Sequence, residues 1–154
     1  MYPDPRVVEL ITRDTIPVRA HIKEEPEMWK RFGARWTPTI LFLDWDGREQ
    51  YRVEGFLPAD EFLGHLHLGL GYVAAGEKDW TAAESHFATA AERYANTSAG
   101  PEGMYWRGVS RYSATHDGNE LRALARAFET RYSDTEWAKR ASVWRPKDTG
   151  RAAA

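Results

Sequence analysis

One short stretch limits what this chain can fold into: Arg35-Trp36-Thr37-Pro38-Thr39-Ile40-Leu41-Phe42-Leu43-Asp44-Trp45-Asp46-Gly47. Proline has no N–H to give to a sheet ladder, so Pro38 belongs at the very start of a strand. Ile40 to Leu43 is a continuous apolar run, the pattern of a strand buried on both faces. Asp46-Gly47 then reverses the chain, and Glu49 to Glu54 alternates as an antiparallel partner strand. Gly55-Phe56-Leu57-Pro58 ends the hairpin, and a helix is expected from Ala59 to about Leu70.

Upstream, Asp4 is placed to cap a helix whose first residue is Pro5, with Val7, Val8, Leu10 and Ile11 on its apolar side. Ile16-Pro17-Val18-Arg19-Ala20-His21-Ile22 alternates and is expected as a strand. Glu27 to Gly33 reads as a helix closed by a C′ glycine.

After residue 68 strand signals stop, and alanine-rich helical periodicity runs to Trp144. An internal repeat lies here. Gly71, Phe87 and Ala90 recur as Gly108, Leu124 and Ala127, each 37 positions later. Arg93-Tyr94 recurs as Arg131-Tyr132, and Trp106-Arg107 as Trp144-Arg145, each 38 positions later. Helix pairs with a glycine in the first helix, then Ala83, Phe87 and Ala90 in the second, resemble the tetratricopeptide repeat. The second copy departs from that pattern, with Glu120 where the small residue belongs. These positions (Gly71, Ala83, Phe87, Ala90, Gly108, Leu124 and Ala127) are expected at helix–helix contacts. A further helix is expected over Ser133 to Trp144, and residues 146–154 read as a disordered tail.

The order of helix, Thr-Pro-Thr, hairpin and helix resembles the C-terminal part of a thioredoxin fold. The expected architecture is therefore a partial thioredoxin-like α/β domain over 1–68, then all-α tetratricopeptide-like hairpins over 69–145. As a whole the chain resembles bacterial thioredoxin-family proteins with C-terminal tetratricopeptide repeats. That resemblance implies a cis Thr37-Pro38 bond and a peptide-docking position formed by Trp36, Thr37 and Pro38. It also implies a central strand between the Ile16–Ile22 and Thr39–Leu43 strands, for which the sequence has no segment. Without that strand the two are expected to pair with each other or to leave an open edge through which the chain could form a homodimer.

The sequence excludes several chemistries. It has no cysteine, so it offers no thiol nucleophile, disulfide or thiolate metal site. The family's Cys-x-x-Cys pair would lie upstream of Met1. Net charge is −2, with 21 basic against 23 acidic side chains, which argues against nucleic acid or an anionic membrane as a partner. No apolar run is long enough to span a membrane, and no secretory leader opens the sequence, so a cytoplasmic location is expected. His21, His65, His67, His86 and His116 show no ligand spacing, and no metal or cofactor is expected. Asp44-Trp45-Asp46-Gly47 lacks the downstream ligands of a calcium loop and reads as a hairpin turn. Seven Trp and seven Tyr are many for 154 residues and are expected to pack helix pairs. Three functions follow: a redox-inactive protein-interaction or chaperone-like module that binds a protein or peptide partner, part of a thiol-disulfide oxidoreductase whose Cys-x-x-Cys lies upstream of Met1, or a purely structural subunit.

Overall fold

The computed structural model describes residues 4–146. Helix α1 (Pro5–Asp14) and the short helix α2 (Pro26–Arg31) precede a hairpin of β1 (Thr39–Leu43) and β2 (Glu49–Glu54). Five helices follow: α3 (Ala59–Gly76), α4 (Trp80–Arg93), α5 (Ala99–Thr115), α6 (Gly118–Thr130) and α7 (Glu136–Ala141). A 3₁₀ turn, Ser142–Trp144, is the last element. All but Pro146 of the tail expected over 146–154 lies outside them, as do Tyr2 and Pro3.

Local sequence accounts for most element ends. The Asp4 carboxylate accepts from Arg6 N at 2.9 Å, with Pro5 at the first helical position of α1. Gly33, at φ +56°, follows α2. The hairpin turn is built on Asp44, whose Oδ1 accepts from Asp46 N at 3.0 Å and Arg48 N at 2.8 Å. Its Oδ2 accepts from Gln50 Nε2 at 2.9 Å. Those donors, the Arg48 amide foremost, hold the Asp44 carboxyl below the usual carboxylate range. The turn itself therefore uses both oxygens of Asp44.

The structure corrects four expectations. Residues 16–21 form no strand; they run as irregular chain with Ile16 and Val18 exposed, because no neighbouring strand takes up their ladder groups. The sheet accordingly has two strands. β1 is not buried on both faces: Phe42 alone is buried and Leu43 is exposed. The helix expected from Ala59 to about Leu70 continues for six more residues, to Gly76. The last helix is shorter than Ser133–Trp144, because Thr135 caps α7 by accepting from Ala138 N at 3.2 Å.

Helix α3 belongs to two cores. On one side Phe62, Leu63 and Leu66 pack with Val7 and Leu10 of α1 and Phe42 of β1. On another, Leu68 packs with Ala83, Phe87 and Ala90 of α4 and with Ala99 of α5. Two glycines make this possible. A Cβ at Gly69 would lie 2.4 Å from the Phe42 ring, and one at Gly71 would lie 2.6 Å from the Phe87 ring. The same packing recurs in the next helix pair, where a Cβ at Gly108 would lie 2.7 Å from Leu124. A third core joins Leu124 and Phe128 of α6 to Ala138 and Ala141 of α7.

The hairpin and the helices are also joined through aromatic and polar contacts. Tyr51 of β2 stacks on Tyr72 of α3 with centroids 4.9 Å apart, and Tyr72 meets Trp106 of α5 edge-on at 5.2 Å. The Tyr51 hydroxyl lies 2.7 Å from His65 Nδ1. The Ser98 hydroxyl donates to Glu61 and so accepts from His65 Nε2, which leaves His65 Nδ1 to accept from the Tyr51 hydroxyl. His65 then carries its proton on Nε2 and donates to Ser98 Oγ at 2.9 Å, and Ser98 donates to Glu61 at 2.7 Å. Residues from β2, α3 and the start of α5 thus form one directed chain.

Gly69→Ala is expected to lower stability by about 1–3 kcal/mol, because the added methyl must displace the buried Phe42 ring. Gly118→Ala is the control: a Cβ there meets nothing within 4 Å, so stability should hold or rise by up to about 1 kcal/mol. Urea unfolding midpoints measure both.

Glu102 of α5 gives a pH-dependent prediction. Burial raises its carboxyl pKa, although the Tyr72 hydroxyl donates to it at 2.6 Å. The folded state therefore holds this proton to a higher pH than the unfolded chain, whose carboxyl titrates near 4.5. The contribution is largest below that value and is lost as pH rises through the folded pKa. Glu102→Gln keeps an oxygen acceptor for Tyr72 and removes the charge. It should be more stable than the parent at pH 7 and equal to it near pH 4, as read by urea midpoints at the two pH values.

Candidate functional site

The Thr37–Pro38 peptide is cis. Gly55 N donates to Pro38 O at 2.8 Å, which extends the hairpin ladder one pair beyond β1. Antiparallel ladders alternate hydrogen-bonded and non-bonded pairs. With the Pro38–Gly55 pair bonded, the pairs Ile40–Val53 and Phe42–Tyr51 are bonded as well. Thr39 and Leu41 therefore turn their N–H and C=O groups away from β2. Among the described residues no strand covers that edge.

The start of this edge is held in shape by local contacts. Thr39 Oγ1 donates to Trp36 O at 2.7 Å, and Thr37 has no hydrogen-bond partner among the described residues. Thr37 is exposed, Pro38 is half-buried, and the Trp36 indole stands 68% exposed beside them. Across the hairpin, Arg52 of β2 pairs with Glu49 at 2.7 Å and Glu54 at 3.0 Å and also reaches the Phe32 carbonyl. Its guanidinium holds the Glu49 carboxyl below the usual range and ties the chain after α2 to the sheet. Thus the structure places Trp36, Thr37 and Pro38 together at one end of an open strand edge.

Apolar exposure is concentrated in the same half of the protein. Of the ten exposed large hydrophobic side chains among the described residues, eight lie before residue 57, including Ile16, Val18, Trp36, Trp45 and Phe56. Single exposed apolar side chains are ordinary on a folded surface.

The repeat positions lie elsewhere. Gly71, Ala83, Phe87, Ala90, Gly108 and Leu124 are buried between helices. Ala127 differs: it is exposed, because α6 buries the stripe of Leu124, Ala125 and Phe128. Ala127 instead lines a groove between α4, α5 and α6, together with Arg107 and Arg111. Those two arginines are already paired, with Glu84 at 3.4 and 2.8 Å and, for Arg107, with Glu92 at 2.7 Å. Glu120 falls in the first turn of α6, where a carboxylate suits the helix dipole.

The sequence reading found no relation among the histidines, yet the structure brings His67 of α3 and His86 of α4 into contact. Nothing in their spacing signals this, because it depends on how two helices face each other. No group of three or more His, Asp or Glu side chains stands together as a metal site among the described residues. Nor is any helix there long and apolar enough to cross a membrane.

Residues 2–69 match the family described as a thioredoxin-like domain, so the N-terminal part of the chain carries such a domain. A curated relative is the thiol:disulfide interchange protein DsbD of Salmonella typhi. It is 36% identical over 72 residues, which is 43% of this chain and 12% of the relative. The chain thus spans a small part of the relative it matches. No solved structure matches the chain.

Disulfide exchange proceeds by attack of a thiolate, and this sequence contains none. The purified 154-residue chain is therefore expected to leave insulin reduction by dithiothreitol at its background rate, measured as turbidity of the released chains.

Proposed function

We propose that this protein is a redox-inactive binding module whose thioredoxin-like part docks an extended protein segment along the free edge of β1. The observation that carries this reading is the pair of outward backbone positions at Thr39 and Leu41, preceded by the exposed Thr37 and Trp36. Strand addition needs only such groups and a side-chain anchor, and neither requires a thiol. The helices from α3 onward serve as a tetratricopeptide-like array that supports the docking module and offers the α4–α5–α6 groove as a second contact surface. The repeated seating of Phe87 on Gly71 and of Leu124 on Gly108 supports that part of the reading.

Carboxymethylated insulin B chain is a suitable probe, being extended and unable to exchange disulfides. Its binding should slow amide exchange at Thr39 and Leu41, and Trp36→Ala should weaken it about fivefold or more, an anchor's share of binding energy. Binding without protection of those amides overturns the proposal. Protection that appears on raising protein concentration alone assigns the edge to a second copy of the chain instead.

A second reading draws on the similarity to a thiol:disulfide interchange protein. In it, these residues belong to a thiol-disulfide oxidoreductase whose Cys-x-x-Cys lies upstream of Met1. The intact mass of the protein from its native source, with a thiol count, separates the two readings.

A further inference from the structure

Histidine nitrogens make polar joints on two sides of α3, the helix shared by the hairpin and the helical array. On one side His65 accepts from the Tyr51 hydroxyl of β2 through Nδ1 at 2.7 Å and donates from Nε2 to Ser98 Oγ at 2.9 Å, at the start of α5. On another side the Nδ1 atoms of His67 and of His86 in α4 face each other at 3.4 Å. Those two rings have centroids 5.6 Å apart, and Tyr94 stacks on His67 at 5.8 Å. Each joint needs a nitrogen lone pair. An imidazole keeps one only while neutral, because the imidazolium donates from both nitrogens. A proton on His65 Nδ1 meets the hydrogen of the Tyr51 hydroxyl, and protons on both His67 and His86 set two donors against each other. His21 and His116 are exposed and take no part in these joints.

The surroundings hold the three rings neutral. His67 is 9% exposed, and burial foremost pushes its pKa down to about 4. His86 and Arg93 of α4 push the same way, Asp14 at the end of α1 pulls back, and Arg13 opposes Asp14. Burial also lowers His86, against Asp14 and together with Arg13. It lowers His65 as well, against Glu61 on the same helix. Asp14 is itself bound to Arg13 at 2.8 and 2.9 Å. The unfolded chain takes up histidine protons from about pH 6.5 downward, before the folded chain does. The contribution of the neutral rings to stability is therefore whole above that value and is lost as pH falls toward 4. Glu102 changes stability in the opposite sense, so whole-molecule unfolding mixes the two effects and a local readout is needed.

We propose that α3 is a proton-sensitive joint: proton uptake by His65, His67 and His86 frees the hairpin on one side and α4 on the other from the helix they share. The seats of Phe42 on Gly69 and of Phe87 on Gly71 carry no titrating group, so the opening is local and the helices stay formed. Acid thereby uncouples the thioredoxin-like part from the helices that follow α3, a histidine switch acting on one bistable contact.

Amide exchange of the full 154-residue chain, corrected for the intrinsic effect of pH on exchange, tests this. Between pH 7 and pH 4.5 exchange in β2 and α4 should rise about tenfold or more, while α6 and α7, which touch none of these rings, should change by less than about twofold. His86→Phe keeps an aromatic ring that takes up no proton. It should remove most of the rise in α4 and leave the rise in β2. Should that variant fail to fold, imidazole titration of the unmutated protein by NMR still decides, because His67 should take up its proton over the same pH range in which α4 loses protection. Protonation of the three rings without faster exchange in β2 and α4 overturns the proposal, since the joints then tolerate the charge. Equal acceleration in every helix, or an undiminished rise in His86→Phe, also overturns it, the first as ordinary acid unfolding and the second as an effect of other groups.

Discussion

Two phenylalanine rings lie directly on the backbone of one helix, and the rest of the structure depends on that contact. Gly69 and Gly71 are two residues apart on α3, and so about 200° apart around its axis. One faces Phe42 from the hairpin and the other faces Phe87 from α4. A helix normally keeps neighbouring elements 8–10 Å from its axis. Removing a Cβ on each side lets a ring fill the space instead. Glycine costs about 1 kcal/mol in a helix interior relative to alanine. Burying the two rings offsets that cost, because each ring brings a large apolar area. The hairpin therefore packs on the same helix that opens the helical array.

This shared helix explains why a two-stranded sheet persists at all. An isolated hairpin is marginal in water, and packing against a helix gives it independent stability. Here Phe42 and Val53 are the buried side chains of the two strands, and Tyr51 reaches both Tyr72 and His65 of α3. The sheet is held from one face by α3 and not from its edge. Its edge is consequently left with unspent hydrogen-bonding capacity.

Much of this was legible in sequence, and the misses share a cause. Pro38, the Asp46-Gly47 turn and the Asp4 cap act within a few residues, so their outcomes follow from local stereochemistry. The pairing of Gly71 with Phe87 was legible because it recurs 37 residues later as Gly108 with Leu124. The Ile16–Ile22 segment has the alternation of a strand, but a strand exists only beside another strand, and alternation says nothing about a neighbour. Ala127 matched the repeat by position, yet α6 rotates its buried stripe onto Phe128. Gly69 and the His67–His86 contact each depend on which faces of two helices meet, and no spacing in the chain carries that information.

The same distinction bears on what a thioredoxin-like frame retains without cysteine. Thiol chemistry needs particular atoms, and the sequence removes them. Peptide docking at a strand edge needs main-chain groups in a fixed register, which every residue but proline supplies in full. Pro38 supplies its carbonyl to Gly55 and leaves Thr39 as the first outward position. The register that directs Thr39 and Leu41 outward is set by the ladder to β2, which Phe42 anchors by resting on Gly69. The absence of a thiol thus leaves this outward edge intact, whereas a change at Gly69, which lies against Phe42, would move it.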